Sequence, residues 1–439
     1  MTNFRNGNWS DLNSKYDRLF IENMFYKPRK SQLFFSKKVV SRILLTKLSK
    51  NEKEILKAIL TDNYQALTDT KDQKFARYLA TSISYQNIDR FRDIANGWEN
   101  EPSHFKIECE GVIKYLEGNY EEAMAIFLDL ASRSILRTEV YFIASREAAD
   151  RGNRELISHF PTTIFAKSLS DKTVWVASHA VPAIYSWLEY DLTNLHKIYS
   201  TLDLVPLPKT KSVNNLEMYF VFIQYILILV INAQSNPHNY TRKKLKPIYF
   251  IGESHSLSPH GLGINYLNKD YLAQSKFIFG LKIWHLVDSR KREQKYRFEK
   301  LIENLKEGPI VMCVGEIDLR YTGGIYAVIK KQMISNMQAI KPMVDKYLNL
   351  IQELDREIIV CGIQAPNYKN KIPIDEQSEF AALVFEFNSY LAATCRDKGI
   401  KYLDLYKETV GSDGYSNKSW HIDQYHLSSS LYKKLLSKL

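Results

Sequence analysis

The sequence predicts an all-α region followed by an α/β domain built on a doubly wound, five-stranded parallel sheet. Three observations lead there. From about residue 246 onward, short apolar runs alternate with amphipathic stretches. Before about residue 235, charged and apolar residues recur at three-to-four spacing, and no strand-like run is bounded by turns. Between the two lies AQSNPHNYTRKKLKP, a polar segment with two prolines and the basic run Arg242-Lys243-Lys244. A chain of 439 residues is too long for one ordinary core. The expected domains are therefore residues 1–235, a basic linker at 236–246, and residues 247–439.

In the first domain the most specific stretch is FKIECEGVIKYLEGNYEEAMAIFLDLA. Gly111, Ala123 and Phe127 put small residues where two helices would cross closely and an aromatic where the pair closes. Gly118-Asn119-Tyr120 breaks the helical pattern between them. The stretch resembles a tetratricopeptide repeat, and Gly152-Asn153 follows Gly118-Asn119 at the 34-residue period of that repeat. The second copy is degenerate, because Pro161 stands where an aromatic is expected. A plain helical bundle is the competing arrangement. Met218 to Ile231 is nearly all apolar but carries Gln224 and falls short of the ~20 residues that a spanning helix needs. A buried helix is expected there, with peripheral membrane contact as the alternative.

In the second domain, strands are expected at Pro247–Ile251, Lys276–Gly280, Ile310–Val314, Ile358–Gly362 and Ile400–Leu405. Helices are expected near 291–306, 323–354 and 376–398. Strands alternating with helices give a parallel sheet, whose chemistry sits at the carboxyl ends of the strands.

Composition narrows the classes. Apolar residues make up 45% and charged residues 25%, as in a globular protein with a sizeable core. The net charge of +11 attracts polyanions, but no nucleic-acid-binding motif accompanies it, so nucleic acid is not an expected partner. Cys109, Cys313, Cys361 and Cys395 form no CxxC pair and no Cys/His cluster, which argues against a zinc site or a disulfide framework. The N-terminus has no apolar signal core, so a cytoplasmic location is expected.

The first strand of the second domain ends in Gly252-Glu253-Ser254-His255-Ser256. A serine at a strand tip, entering a helical turn, offers its hydroxyl as nucleophile and its own N–H to a reacting oxygen. Such a serine needs a base, and the base a carboxylate to orient it. Asp423 and His426, three residues apart and just past the last strand, can meet on one face of a turn.

These segments resemble the SGNH (GDSL-like) hydrolase superfamily over about residues 246–439. Gly252-Glu253-Ser254-His255-Ser256 matches the first block, with Glu253 where Asp is usual. Asp423-Gln424-Tyr425-His426 matches the last. Gly280 takes the second block's glycine position, and Gly315-Glu316-Ile317-Asp318-Leu319-Arg320 takes the third. The resemblance implies a flavodoxin-like sheet, with Ser254, Asp423 and His426 as catalytic residues and the N–H groups of Ser254 and Gly280 as an oxyanion hole. It departs at Ile317, which replaces an asparagine donor; losing one such donor costs about 10²–10³ in rate. Arg320 is expected either to pair with Asp318 or to face the pocket and bind an anion. His255, Glu316, Asp318 and Arg320 are candidate substrate-binding residues, and no bound metal or cofactor is expected.

The resemblance implies acyl transfer through an acyl-Ser254 intermediate. The cytoplasmic reading and the basic charge favour an O-acyltransferase, with acetyl-CoA as donor and a carbohydrate as acceptor, in bacterial surface-polysaccharide synthesis. The helical domain would dock a partner or a glycan. A carbohydrate acetyl esterase, and a helical scaffold carrying a degenerate SGNH domain, are the alternatives.

Overall fold

The computed structural model describes residues 103–132, 179–203, 217–240, 245–289 and 293–439, together with Glu54 and Arg92. The chain divides into two compact units, Met1–Gln224 and Tyr225–Leu439. The degenerate repeat copy around Gly152 and Pro161, and the basic run at 242–244, lie outside the described residues.

The first unit contains helices α1 (Ser103–Glu117), α2 (Tyr120–Ser132), α3 (Ala180–Leu188) and α4 (Leu192–Asp203). Helices α1 and α2 form a hairpin. Gly118 has φ +83°, a left-handed conformation that suits glycine, and Asn119 N–H closes on the Lys114 carbonyl at 2.9 Å. A Cβ on Gly111 would lie 2.7 Å from Phe127 Cε1, so the two helices cross closely at that glycine. Helix α5 (Glu217–Ser235) runs through the division between the units. It buries Tyr225, Ile226 and Leu229 and exposes Leu227 and Ile231. Among the described residues, no helix is long and apolar enough to cross a membrane.

The second unit holds six strands: β1 (Lys246–Gly252), β2 (Gly263–Tyr266), β3 (Lys269–Phe277), β4 (Ile310–Cys313), β5 (Ile358–Cys361) and β6 (Lys401–Leu403). Their order is β2-β3-β1-β4-β5-β6. Five are parallel and β2 pairs antiparallel with β3. The expected doubly wound sheet of five parallel strands is present, and the antiparallel β2 adds a sixth strand at its edge. The strand expected at 276–280 is the end of a longer one beginning at Lys269. The β2–β3 hairpin turns at Leu267 and Asn268, both with positive φ (50° and 58°). That is the backbone of a tight hairpin, normally announced by Asn-Gly or Asp-Gly, and leucine conceals it.

Helices α6 (Ile283–Val287), α7 (Glu293–Asn304), α8 (Ile325–Gln332), α9 (Asn336–Glu353), α10 (Ile374–Asp397), α11 (Leu405–Thr409) and α12 (Ser429–Leu436) complete the unit. Strand residues alternate between two cores. Tyr249, Ile251, Met312 and Val360 pack with Phe298, Val344 and Phe387. Ile248, Phe250, Val311 and Ile359 pack on the opposite face with Leu431, Tyr432 and Leu436 from α12. Because both faces are covered, the strands read as unbroken apolar runs. Burying each such side chain contributes about 1.5–3 kcal/mol. The connections leave β1 and β4 in opposite directions along the sheet, which makes the β1/β4 boundary the topological switch point where ligands bind in this class of fold.

Candidate active site

Strand β1 ends at that boundary. Gly252 is required there: a Cβ would fall 2.0 Å from the Cys313 carbonyl oxygen of β4. Past it, Glu253 caps a short 3₁₀ turn, Ser254–Leu257, by accepting the His255 N–H at 3.3 Å. Ser254 is buried, at 6% exposure.

A second loop meets it from the C-terminal end. The segment from His421 to Leu427 closes on itself through an isolated bridge, and Ile422 N–H donates to the His426 carbonyl at 2.9 Å. Ser258 Oγ donates to the Leu427 carbonyl at 2.7 Å, tying this loop to the 3₁₀ turn. Asp423 Oδ1 accepts the Tyr425 and His426 N–H groups at 2.7 and 2.6 Å, which leaves Oδ2 for His426 Nδ1 at 2.6 Å. His426 Nε2 lies 2.8 Å from Ser254 Oγ. With Nδ1–H donated to Asp423, Nε2 presents a lone pair to the serine hydroxyl. Burial lowers the His426 pKa below its ordinary 6.5, against the raising effect of Asp423, so the ring is neutral at pH 7. Burial disfavours the Asp423 charge as well, but its hydrogen bonds from His426 hold the carboxyl well below the usual carboxylate range.

Ser254 has a second neighbour. Its hydroxyl donates to Glu253 Oε2 at 2.5 Å, so one proton faces two acceptors. Glu253 is ion-paired through Oε1 with His255 Nδ1. Burial pulls the His255 pKa down, yet Glu253 and Glu316 raise it to about 9. Burial opposes the Glu253 charge, but His255 lowers its pKa to about 2. The imidazolium Nε2–H donates to the Tyr425 carbonyl at 2.9 Å. Gln364 also donates to the Tyr425 carbonyl at 2.8 Å.

The third-block residues are built into this network. Glu316 is held by Arg320, with Nε at 3.0 and 2.9 Å and Nη2 at 2.7 Å. The expected Arg320–Asp318 pair is therefore corrected to Arg320–Glu316, the i,i+4 neighbour. The Arg320 guanidinium also lies 4.6 Å from the Tyr425 ring centroid. Asp318 is buried and accepts the Ile283 and Trp284 N–H groups at 2.8 and 3.1 Å. It caps α6, and burial raises its pKa to about 6. His255 and Glu316, at 4% and 7% exposure, are likewise engaged within the protein. Glu253, His255 and Glu316 bring potential ligand atoms within 4.8 Å of one another. Each already has an ionic partner, so the cluster is an internally neutralised set of two anions and two cations.

Gly280 stands three residues past β3 with φ +65°. The loop that carries it is anchored to the Ser254 strand by Ile278 N–H, which donates to the Gly252 carbonyl at 2.8 Å. Among the described residues, neither the Ser254 N–H nor the Gly280 N–H has a protein acceptor. Three contributors were not visible in the sequence: Tyr225, whose ring stacks on His426, Gln364, and the Tyr425 carbonyl. Tyr225 belongs to α5, before the expected domain start. Gln364 follows β5, and the rule that loops at strand carboxyl ends carry chemistry was the one signal available for it. Gln364, Asn367, Tyr368, His421, Gln424 and Tyr425 are among the residues lining a pocket beside the His421–Leu427 loop. His421 is kept neutral there, its pKa lowered to about 4 by burial.

No protein-family model and no curated protein sequence matches the chain. Solved structures do. A GDSL-like lipase from Bacteroides thetaiotaomicron is 15% identical over 48% of this chain and 95% of its own, with a TM-score of 0.32. A member of the lipolytic G-D-S-L family from Veillonella parvula is 15% identical over 44% of this chain and 94% of its own, with a TM-score of 0.30. An acetyl xylan esterase is 16% identical over 44% and 96%, with a TM-score of 0.30. About half of the chain is thus similar in structure to GDSL-like lipases and esterases.

Proposed function

We propose that the second unit performs serine-dependent acyl transfer, with Ser254 as nucleophile, His426 as base and Asp423 orienting His426. The observation that carries this reading is the continuous hydrogen-bonded line from Asp423 Oδ2 through His426 to Ser254 Oγ, at 2.6 and 2.8 Å, located at the switch point of the sheet. In the first step the Ser254 proton moves to His426 Nε2 as Oγ bonds to the acyl carbonyl carbon. The carbonyl oxygen takes negative charge, stabilised by the Ser254 and Gly280 N–H groups. As the intermediate collapses, the bond to the leaving group breaks and that group takes the proton from His426. In the second step an acceptor hydroxyl gives its proton to His426 as its oxygen bonds to the acyl carbon, and collapse of that intermediate breaks the bond to Oγ while His426 returns the proton to Ser254.

Ile317 offers no side-chain donor, so the hole has two donors instead of three, and a modest rate is expected. The carboxylate of Glu253 beside Oγ would oppose charge on the attacking oxygen. The His255 imidazolium bonded to Glu253 offsets that effect.

The acceptor defines the enzyme. We assign a carbohydrate hydroxyl, with an acetyl group as the acyl unit and acetyl-CoA as the donor class, making an O-acetyltransferase. Support comes from the polar side chains of Gln364, Asn367 and Gln424 in the pocket beside the His421–Leu427 loop and from the basic charge of the chain. Water as acceptor gives an acetyl esterase by the same steps. Intact mass after incubation with acetyl-CoA or p-nitrophenyl acetate tests the assignment. An adduct of one acetyl group from acetyl-CoA, absent in Ser254→Ala and discharged by a glycan, is the expected result. Turnover of the ester alone would make it an esterase. No adduct and no turnover from either donor would leave a non-catalytic domain.

A further inference from the structure

Tyr225 lies outside the segment that carries the sequence motifs, yet its ring lies flat on the His426 imidazole. The centroids are 3.7 Å apart and the planes 11° from parallel. The phenol hydroxyl donates to the Ser254 carbonyl oxygen at 3.2 Å. One fully buried side chain therefore touches both the base and the backbone of the nucleophile. We propose that Tyr225 is a positioning residue whose ring face stabilises the protonated form of His426 during acyl transfer, while its hydroxyl fixes the Ser254 main chain. The proposal rests on the roles given above to Ser254, His426 and Asp423.

When Ser254 passes its proton to Nε2, a cation forms on a ring that is 3% exposed. Burial opposes it. The charged and titratable groups around the ring are Asp423 on its own loop, Glu253 and His255 after β1, and His421 at the loop's start. Asp423 and Glu253 favour the cation and His255 opposes it; His421 and His426 each disfavour charge on the other. Tyr225 is the aromatic face stacked on the ring. A cation over such a face is attracted by the ring quadrupole. The neutral imidazole gains little from that attraction. The contact is thus stronger when the proton has moved than before, which is the kind of interaction that raises kcat. The same contact makes α5 part of the site, so the functional unit begins before the expected linker.

The test keeps the full chain and the ring's shape. Tyr225→Phe is compared with the protein carrying pentafluorophenylalanine at position 225, whose quadrupole is reversed. The protonation of His426 is followed by NMR titration, with the resonance assigned through His426→Gln, so the readout does not need turnover. The fluorinated protein should titrate His426 about half to one pH unit lower than Tyr225→Phe, and lose about 3- to 10-fold in kcat/KM on p-nitrophenyl acetate. Identical titration midpoints in the two proteins would overturn the proposal. Failure of the underlying reading has a different signature: wild-type turnover equal to that of Ser254→Ala.

Discussion

Two carboxylate–histidine pairs flank Ser254, and their chemistry diverges. Glu253–His255 is buried and Asp423–His426 partly buried, and both are hydrogen-bonded through Nδ1. Burial depresses the His426 pKa, whereas that of His255 rises to about 9. The difference lies in the second neighbours. His255 has a further carboxylate, Glu316, and a backbone carbonyl, that of Tyr425, both favouring charge. His426 has the cationic His255, with its ring centroid 5.0 Å away, which opposes a second charge. One histidine is thereby left neutral and the other as a fixed cation. Two groups of one type, pushed apart by environment, mark the acid–base roles in a site.

Breaking the base pair should have the largest effect. Ser254→Ala and His426→Ala are expected to lower kcat by about 10⁴ or more, and Asp423→Asn by about 10³–10⁴, because the amide no longer selects the productive tautomer. Steady-state kinetics on an activated acetyl ester check all three.

The cationic pair should show itself in pH dependence. kcat/KM is expected to fall with acid through the His426 titration, below 6.5. It should fall again above about 9, as His255 loses its charge beside Glu253. Stability follows the same groups. The raised His255 pKa contributes stability that is complete below pH 6.5 and lost as pH rises through about 9. The lowered Glu253 pKa contributes stability present above 4.5 and lost as pH falls through about 2. The Tm gap between wild type and His255→Asn should therefore close above about pH 9, as thermal unfolding across pH would show. A gap unchanged at pH 10 would contradict a charged His255.

Asp318→Ala should cost about 1–3 kcal/mol, since it strips one buried and one part-buried N–H group of their acceptor. Chemical denaturation would measure this. Arg320→Ala should be the mildest change, about 1–2 kcal/mol by the same measurement, because the guanidinium is 28% exposed. Substrate affinity should be unchanged; a raised KM would give Arg320 a pocket-facing role.

The sequence made some of this legible and hid the rest for physical reasons. Ser254, Asp423 and His426 stood out because a strand tip and a three-residue spacing are local signals. The parallel sheet was readable because strands buried on both faces are continuous apolar runs. The β2–β3 hairpin was hidden by Leu267 at positive φ and by the mixed polarity of Lys269 to Lys276. The pairing expected for Arg320 with Asp318 goes to Glu316 instead, because α6, which needs a cap, claims Asp318 and Glu316 stands one helical turn from Arg320. Tyr225 and Gln364 were illegible because each joins the site only through tertiary contact, from a helix before the domain and a loop after β5.

The central claim is that Ser254 is a nucleophile activated by a neutral His426. The most direct measurement is labelling with a fluorophosphonate ester, followed by peptide mapping across pH. A single adduct on Ser254 is expected, absent in His426→Ala, with a labelling rate that declines as pH falls through the His426 titration. No adduct at Ser254, or a rate there that does not depend on His426, would contradict it.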